Sequence, residues 1–295
     1  MRVFVTGATG FIGSSVVQEL IAAGHQVLGL ARSEDGAKSL TAAGAQVQRG
    51  DLADLQALRS GAAAADAVIH TAFIHDFSKF QEVCEIDRQA IETLGAALAG
   101  SNRPLLVSAG IGPRVQGRVA TEDTDPLTDA RMPRVSEQAA LALQSKGVRV
   151  SVMRLPQVHD PLKAGLVTYL IALAREKGVS AYIGDGLNRW AAVHRRDCAK
   201  LYKLAMEKGT AGARYHVVAE EGVTLRDIAE SIGRGLKIPV VSKSPEEAPA
   251  HFGWLAFFAS IDMPASSALT QKWLGWTPTG PSLISDLDQA RYLET

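Results

Sequence analysis

In the first half of the chain, short and continuously apolar runs alternate with longer segments in which apolar residues recur every three or four positions. The run that begins at Arg2 predicts a strand buried on both faces, and the periodicity from Ser14 to Ala23 predicts a helix behind it. The alternation predicts further strands at His25 to Leu30, Ala45 to Gln48, Ala67 to His70, Leu105 to Ser108 and Val148 to Met153. It predicts further helices at Ser33 to Ala43, Leu52 to Arg59, Ser78 to Ala99 and Pro133 to Lys146. Strands that alternate with helices indicate an α/β protein with a parallel sheet and right-handed crossovers.

The pattern changes from Leu155 onward, where the predicted elements become shorter. They are a helix at Leu162 to Glu176, short strands near Val179 to Ile183 and Ala192 to His194, a helix at Asp197 to Glu207, and an apolar run at Tyr215 to Ala219. Thr224-x-x-Asp227 is a capping box that begins another helix, and the tail predicts short helices joined by turns. The change indicates a second, smaller unit.

The first predicted strand leads directly into Gly7, Gly10 and Gly13, which are spaced three residues apart. At a junction of strand and helix, Gly7 allows a tight turn, Gly10 lets the backbone approach a pyrophosphate, and Gly13 lets the helix pack closely. The unpaired N–H groups of the first helical turn then favour an anion. A three-glycine pattern alone is weak evidence, but here strand and helix are both predicted around it. The expected dinucleotide contacts are Gly7, Thr9, Gly10, Phe11, Ile12 and Gly13.

Composition limits the classes of molecule that the chain is expected to bind. Acidic and basic residues balance at 31 each, which provides no electrostatic footprint for nucleic acid or for an anionic membrane. The two cysteines, Cys84 and Cys198, lack metal-ligand spacing, so buried free thiols and no metal are expected. The run from Ala164 to Ala174 is too short to span a bilayer, and a strand at residue two leaves no room for a signal peptide. We therefore expect a cytoplasmic protein with a small-molecule substrate.

The end of the second strand indicates which dinucleotide is bound. An acidic residue there holds the ribose hydroxyls of NAD, whereas a basic residue accommodates the 2′-phosphate of NADP. This strand ends in Leu30-Ala31-Arg32-Ser33, so Arg32 and Ser33 predict NADP rather than NAD. The alternative is that Arg32 is a solvated surface charge and Ser33 only the N-cap of the next helix.

Two further strand ends provide candidate contacts. After the third strand, Asp51 could accept a hydrogen bond from the adenine amino group while Leu52 covers the ring; Asp51 is also a candidate N-cap of the following helix. After the fourth strand, Thr71, Ala72 and Phe73 are predicted at the crevice beside the nicotinamide ribose.

These motifs resemble the short-chain dehydrogenase/reductase superfamily in its extended, NAD-dependent epimerase/dehydratase-like branch. The resemblance lies in Thr6-Gly-x-x-Gly-x-x-Gly13, Gly50-Asp51-Leu52, Val68-Ile69-His70-Thr71-Ala72, Gly184-Asp185-Gly186 and Val193-His194-x-x-Asp197. It implies a Rossmann doubly wound parallel sheet over 1–155, rejoined by 186–210, that binds NAD(P). It also implies a smaller C-terminal α/β substrate-binding domain built from 156–185 and 211–295. By the same resemblance, Pro156 and Val158 contact the cofactor.

The resemblance carries the catalytic serine onto Ser108, although a serine at the end of a strand also simply satisfies local backbone. The family's Tyr-x-x-x-Lys pair belongs in 129–141, where neither residue occurs: Pro133 stands at the Tyr position, and Ser136-Glu137 stands where the family has Ser-Lys. Asp87 stands in place of the family's helix-four Asn. The chain is thus identified as an atypical member, and its proton donor is open, with His75 and His159 as weaker candidates.

The preferred hypothesis is an NADPH-dependent reductase that transfers hydride to a small, largely apolar carbonyl, imine or activated alkene. One alternative is a nucleotide-sugar epimerase or dehydratase, which needs the strong base that is missing here. The other is a non-catalytic NADP-binding redox sensor or scaffold. A homodimer through the predicted helices at Ser78 to Ala99 and Pro133 to Lys146 stays open.

Overall fold

The computed structural model describes residues 1–111, 118–125 and 133–289. In chain order its strands are β1 (Arg2–Thr6), β2 (Gln26–Ala31), β3 (Gln46–Arg49), β4 (Ala67–His70), β5 (Pro104–Gly110), β6 (Arg149–Leu155), β7 (Gln157–Asp160), β8 (Lys163–Ala164), β9 (Ser180–Ile183), β10 (Arg189–His194), β11 (Arg214–His216), β12 (Glu220–Thr224) and β13 (Val240–Lys243). Its helices are α1 (Phe11–Ala22), α2 (Glu34–Ala42), α3 (Leu55–Ala63), α4 (Phe80–Leu98), α5 (Ser136–Ala142), α6 (Val167–Lys177), α7 (Arg195–Lys208), α8 (Leu225–Leu236), α9 (Ala248–Phe252), α10 (Ala256–Ser260), α11 (Ala268–Leu274) and α12 (Leu283–Asp288).

In the described part of the chain, a seven-stranded sheet has the order β3-β2-β1-β4-β5-β6-β11, and all of its strand pairs are parallel. The strand order reverses between β1 and β4, which opens a crevice at the carboxyl ends of these two strands. The predicted Rossmann fold is confirmed.

The apolar runs form the central strands because helices cover both faces of the sheet. Val3 and Val5 pack with Val16 and Leu20 of α1 on one face, while Phe4 packs with Leu58 and Leu94 on the other. Helices α1, α2 and α7 lie on the first face, and α3, α4 and α5 on the second. Continuous burial on both faces explains why β1 and β4 lack a polar alternation.

The second unit contains a four-stranded sheet of order β12-β10-β7-β8 and the parallel pair β13-β9. Its core surrounds Trp190 and includes residues of α6, α8 and the short helices α9, α10 and α12. Thr224 is the N-cap of α8, since its hydroxyl accepts a hydrogen bond from Asp227 N at 3.1 Å. The predicted capping box is confirmed.

Three predicted boundaries need correction. The helix predicted from Leu162 begins only at Val167, because Lys163–Ala164 pairs with β7. Strand β11 was predicted in the substrate-binding domain, but it extends the central sheet beside β6 with Arg214 opposite Val152. Strand β10, within the segment predicted to rejoin the Rossmann domain, belongs to the second sheet, and α7 makes the return by packing on α1. Pairing with β11 satisfies the backbone groups at the outer edge of β6.

Among the described residues, no helix is both long and apolar enough to cross a membrane.

Candidate cofactor-binding and active site

The glycine turn between β1 and α1 has a geometry that side chains would disrupt. Gly7 has a φ of +67°, and a Cβ added there would lie 2.7 Å from the backbone nitrogen of Ala72. A Cβ added to Gly13 would lie 2.0 Å from the carbonyl oxygen of Gly7. The backbone of α1 therefore packs directly against the turn, and the helix begins at Phe11 rather than at the predicted Ser14.

The N-terminus of α1 fits an anionic group. Gly10 occupies the N-cap position without a side-chain hydrogen bond, and the first turn contains no acidic residue. Its N–H groups are therefore not used by a local cap, and the positive end of the helix dipole is not neutralised by a nearby carboxylate. Thr9 and Gly10 are exposed beside this end. The turn has the features that a dinucleotide pyrophosphate requires.

The end of β2 presents Arg32 to solvent, which fits both the predicted 2′-phosphate contact and the alternative of a solvated surface charge. Ser33 is the N-cap of α2: its hydroxyl accepts a hydrogen bond from Gly36 N at 3.1 Å. Arg49, which was not predicted as a site residue, ends β3 directly opposite Ala31. Its Nη1 donates to the Ser33 carbonyl oxygen at 2.9 Å, and its Nη2 pairs with Glu34. Arg49 therefore lies beside the end of β2, where Arg32 is located.

The segment after β3 departs from the prediction in two respects. The N-cap of α3 is Asp54, which accepts from Ala57 N at 2.9 Å, whereas Asp51 accepts from Ala53 N at 2.9 Å and stabilises the preceding turn. Leu52 is 7 % exposed and packs into the core beside Leu30, so its predicted role as a cover for adenine is corrected. Asp51 is exposed at the carboxyl end of β3 and stays a predicted adenine contact.

The chain that leaves β4 lies against the glycine turn, as predicted. The Thr71 hydroxyl donates to the Thr6 carbonyl oxygen at 2.8 Å, and the backbone of Ala72 approaches Gly7 closely. Phe73 then makes edge contacts with His75 and Phe80, whose ring centroids are 5.4 Å and 6.5 Å away.

The two contacts predicted after β6 differ in exposure. Pro156 is partly exposed between β6 and β7. Val158 is 4 % exposed, packs in the core, and pairs through its backbone with Val193. Its side chain is therefore not presented to a cofactor, and the cofactor contact through the backbone of this segment stays a prediction.

Ser108, the predicted catalytic residue, is buried and fully hydrogen-bonded. Its hydroxyl donates to the His70 carbonyl oxygen at 2.7 Å and shares a second hydrogen bond, of 2.6 Å, with the hydroxyl of Tyr202. Burial strongly raises the pKa of Tyr202, so its phenol stays protonated and donates to Ser108. Ser108 connects β5 to β4 and α7 through these hydrogen bonds, and its catalytic role stays a prediction.

A chain of buried polar contacts leads from β1 to the crevice. Thr6 Oγ1 and His70 Nδ1 are 2.8 Å apart, His70 Nε2 donates to Asp87 at 3.2 Å, and Ser136 donates to Asp87 at 2.5 Å. Burial alone would raise the pKa of Asp87, but the hydrogen bond and charge of His70, with Arg134 and Ser136, lower it overall. The Asp87 carboxylate therefore anchors the segment that begins α5.

That segment places Arg134 at the crevice. The Arg134 guanidinium lies 4.0 Å from the centroid of the Phe73 ring. Its Nε donates to Ser136 Oγ at 2.8 Å and its Nη2 to the Ser108 carbonyl oxygen at 3.2 Å. The sequence contained no local signal for this cation, because its position depends on β4 and β5.

Glu137, which stands where the resemblance places the family's lysine, is paired with two arginines. Its carboxylate accepts from Arg154 Nε at 2.9 Å and Nη2 at 2.6 Å, and it also pairs with Arg214 at 2.9 Å. The side chain therefore faces β6 and β11 rather than the crevice. Within the stretch predicted to carry the Tyr/Lys pair, 129–132 lies outside the described residues.

The two histidines predicted as candidate proton donors lie in different parts of the structure. His159 is fully buried, and its Nδ1 is 2.7 Å from Asp286, so it lies within the second unit rather than at the crevice. His75 lies beside Phe73. Burial, followed by the positive charges of Arg134 and Lys163, lowers the pKa of His75. This imidazole is therefore predominantly neutral at neutral pH.

Two more cations flank the start of α1. The Arg195 guanidinium carbon is 5.0 Å and the Lys163 nitrogen 5.8 Å from the centroid of the Phe11 ring. Asp160 organises both, because it pairs with Arg195 at 3.1 Å and accepts from Lys163 N at 3.0 Å. This placement supports anion binding at the helix N-terminus.

An apolar cavity of about 570 Å³ lies between α4 and the C-terminal helices. Aromatic side chains of the C-terminal part line it, whereas Trp190 and Phe252 pack in the core. Its walls include Phe80, Ile183, Pro249, Trp254, Phe257 and Phe258.

Comparisons with known proteins agree with this site. A model of the NAD dependent epimerase/dehydratase family matches residues 3–219. An uncharacterized protein of Schizosaccharomyces pombe is 50 % identical over 99 % of this chain and 100 % of its own length. Sterol-4-alpha-carboxylate 3-dehydrogenase, decarboxylating, from Dictyostelium discoideum is 31 % identical over 76 % of this chain and 73 % of its own. The NAD-bound dTDP-glucose 4,6-dehydratase of Streptomyces venezuelae shares the fold, with a TM-score of 0.78, 20 % identity, and coverage of 99 % of this chain and 96 % of that one.

Proposed function

The chain belongs to the NAD-dependent epimerase/dehydratase family of the extended short-chain dehydrogenases/reductases, and from this premise we propose an NADPH-dependent reductase of a small, largely apolar carbonyl, imine or activated alkene. The family and the relatives are those of an NAD(P)-dependent oxidoreductase or epimerase. The choices of NADPH, of reduction and of an apolar substrate are our proposal.

The observation that carries this proposal is the glycine turn with arginines beside it. The N–H groups at the start of α1 would hold the pyrophosphate, and Arg32 with Arg49 would hold the 2′-phosphate. When bound, the nicotinamide supplies hydride. NAD has no 2′-phosphate that could pair with these two arginines, which favours NADP.

The apolar cavity supports the proposed substrate class. Its aromatic and aliphatic walls match an apolar molecule better than a nucleotide sugar, whose hydroxyl and phosphate groups would lose hydrogen bonds to water there. The dehydrogenase relative from Dictyostelium discoideum acts, by its name, on a sterol carboxylate, which is also largely apolar.

The proton that accompanies hydride does not come from Ser108, whose hydroxyl hydrogen is directed to the His70 carbonyl oxygen. His75 is mainly neutral, so it has no proton of an imidazolium to donate. We assign the proton to solvent that enters the crevice.

Calorimetric titration of the purified protein with NADPH and NADH tests the cofactor. NADPH should bind at least about tenfold more tightly than NADH. Incubation with apolar ketones, enones and imines, followed by the loss of NADPH absorbance, then tests turnover. If neither nucleotide binds, the proposal fails; NADPH binding without turnover across all three substrate classes would favour the sensor hypothesis.

A further inference from the structure

We infer that the crevice takes an amphipathic carboxylic acid, with Arg134 binding the carboxylate and the apolar cavity beside α4 holding the rest of the molecule. The inference rests on the proposed function for the view that this crevice is the substrate site, and it adds a specific head group to the apolar body.

Arg134 is held rigidly but retains hydrogen-bonding capacity. Its Nε and Nη2 donate to Ser136 and to the Ser108 carbonyl oxygen, while Nη1 has no hydrogen-bond partner among the described residues. Its side chain is 23 % exposed and stacks on Phe73. A guanidinium fixed in this way binds a planar carboxylate at little conformational cost.

The carboxylate nearest to Arg134 in the described structure does not occupy this capacity. Asp87 lies 3.9 Å from the Nε of Arg134, on the side that already faces Ser136. Its two oxygens accept hydrogen bonds from His70 and Ser136. The Nη1 side of the guanidinium is therefore available to an anion from outside the chain.

Aromatic rings connect this cation to the cavity. Phe73 carries the guanidinium on its face, and its centroid is 6.5 Å from that of Phe80. Phe80 is in turn a wall of the cavity of about 570 Å³, a size typical of small-molecule sites. A ligand that follows these two rings passes from a cation into apolar surroundings within the length of a medium-sized alkyl chain.

The surrounding charge favours an acid over a neutral alcohol or ketone. A neutral head group would desolvate Arg134 without compensating its charge, whereas a carboxylate compensates it. The substrate class that satisfies both ends is an apolar acid, such as an oxo acid whose reducible carbonyl lies near its carboxylate.

Calorimetry with three simple probes tests this without a known substrate: octanoate carries both features, 1-octanol lacks the charge, and acetate lacks the chain. Octanoate should bind the wild-type protein at least about tenfold more tightly than either of the others. Arg134→Gln should lower octanoate affinity about tenfold or more and leave 1-octanol affinity unchanged. Arg234→Gln is the matched control, because Arg234 is an exposed arginine of α8 that pairs with Asp288 of α12.

A second variant tests the apolar part. Ala256 lines the cavity, and Ala256→Trp should weaken octanoate and 1-octanol together while NADPH binding persists, which shows that the variant is folded. Equal binding of octanoate and 1-octanol, no octanoate binding, or an Arg134→Gln variant that binds octanoate normally would overturn the inference. Failure of the proposed function is separate: it is the absence of NADPH binding to the wild-type protein, measured without any acid.

Discussion

Ser108 and Tyr202 share a hydrogen bond of 2.6 Å between their hydroxyl groups, with Tyr202 fully buried and 94 residues away in sequence. The contact joins the central strand β5 to α7 beneath the crevice. It gives this serine, at the end of a central strand, a structural role.

Replacing Ser108 by Ala should therefore act on stability. The Tyr202 hydroxyl would lose its partner in a dry environment, so we expect a loss of about 1–3 kcal/mol in the free energy of unfolding. Tyr202→Phe should lower the free energy of unfolding by less, because Ser108 keeps its hydrogen bond to the His70 carbonyl oxygen. The double variant should lose less free energy of unfolding than the sum of the two single variants. Urea unfolding provides these values. A Ser108→Ala protein of unchanged stability that fails to bind NADPH would restore a direct role at the site.

Glu137 and Arg154 form a buried ion pair whose rupture should be costly. Glu137→Ala would leave Arg154, which is fully buried, without its carboxylate, and we expect a loss of about 3–5 kcal/mol in unfolding free energy. Glu92→Ala removes the exposed partner of Arg88 and should cost less than about 1 kcal/mol. Urea unfolding of both variants checks this. Similar losses would mean that burial does not determine the contribution of the pair.

A comparison of Gly7, in the glycine turn, with Gly24, which follows α1, separates the effect of close backbone approach from the effect of a positive φ. Gly24 has a φ of +83° with no atom within 4 Å of an added Cβ, so Gly24→Ala should cost about 1–2 kcal/mol through the left-handed backbone alone. Gly7→Ala adds a clash with Ala72 and should abolish NADPH binding. Calorimetric titration of the two variants with NADPH is the measurement, and equal affinities would contradict this account of the turn.

Arg49 and Glu34 should control the choice between NADPH and NADH. Arg49→Gln should weaken NADPH binding about tenfold through loss of a charge-assisted contact and leave NADH unchanged. Glu34→Gln removes a carboxylate that competes for Arg49 and repels the phosphate, so NADPH should bind about two- to fivefold more tightly. The measurement is the ratio of the dissociation constants for NADH and NADPH in each variant, with Arg234→Gln as the control. An unchanged ratio in both variants would leave Arg32 as the remaining candidate.

His159 should make stability fall as the pH decreases. Burial lowers its pKa below the usual value of about 6.5, against the opposing effect of Asp286, while His194 and Asp160 face the same ring. The folded protein therefore binds a proton at this site less readily than the unfolded chain, so this contribution to stability is present above about pH 6.5 and is lost as the pH falls through that region. Urea unfolding between neutral and mildly acidic pH should show a shallower decline for His159→Gln than for the wild type; parallel declines would exclude His159 as the cause.

Local pattern was sufficient for most of the architecture. Buried apolar runs and 3.6-residue periodicity predicted β1 to β6 and the helices between them, because the period of apolar residues records which faces of an element meet the core. The short strands β7, β8, β12 and β13 were not predicted as they occur, since pairing with distant partners selects them.

The sequence by itself thus determined the parallel sheet and the glycine turn at the carboxyl ends of its strands. The turn was predictable because only glycine, which lacks a side chain, readily allows the positive φ and the close approach found there. Only the tertiary structure decided which polar side chains face the crevice. Ser108 is engaged by Tyr202, Glu137 by Arg154 and His159 by Asp286, while Arg134 and Arg49 reach the site from segments that carry no motif. A side chain's hydrogen-bond partners and charge environment come from elements far away along the chain, and local periodicity contains no information about them.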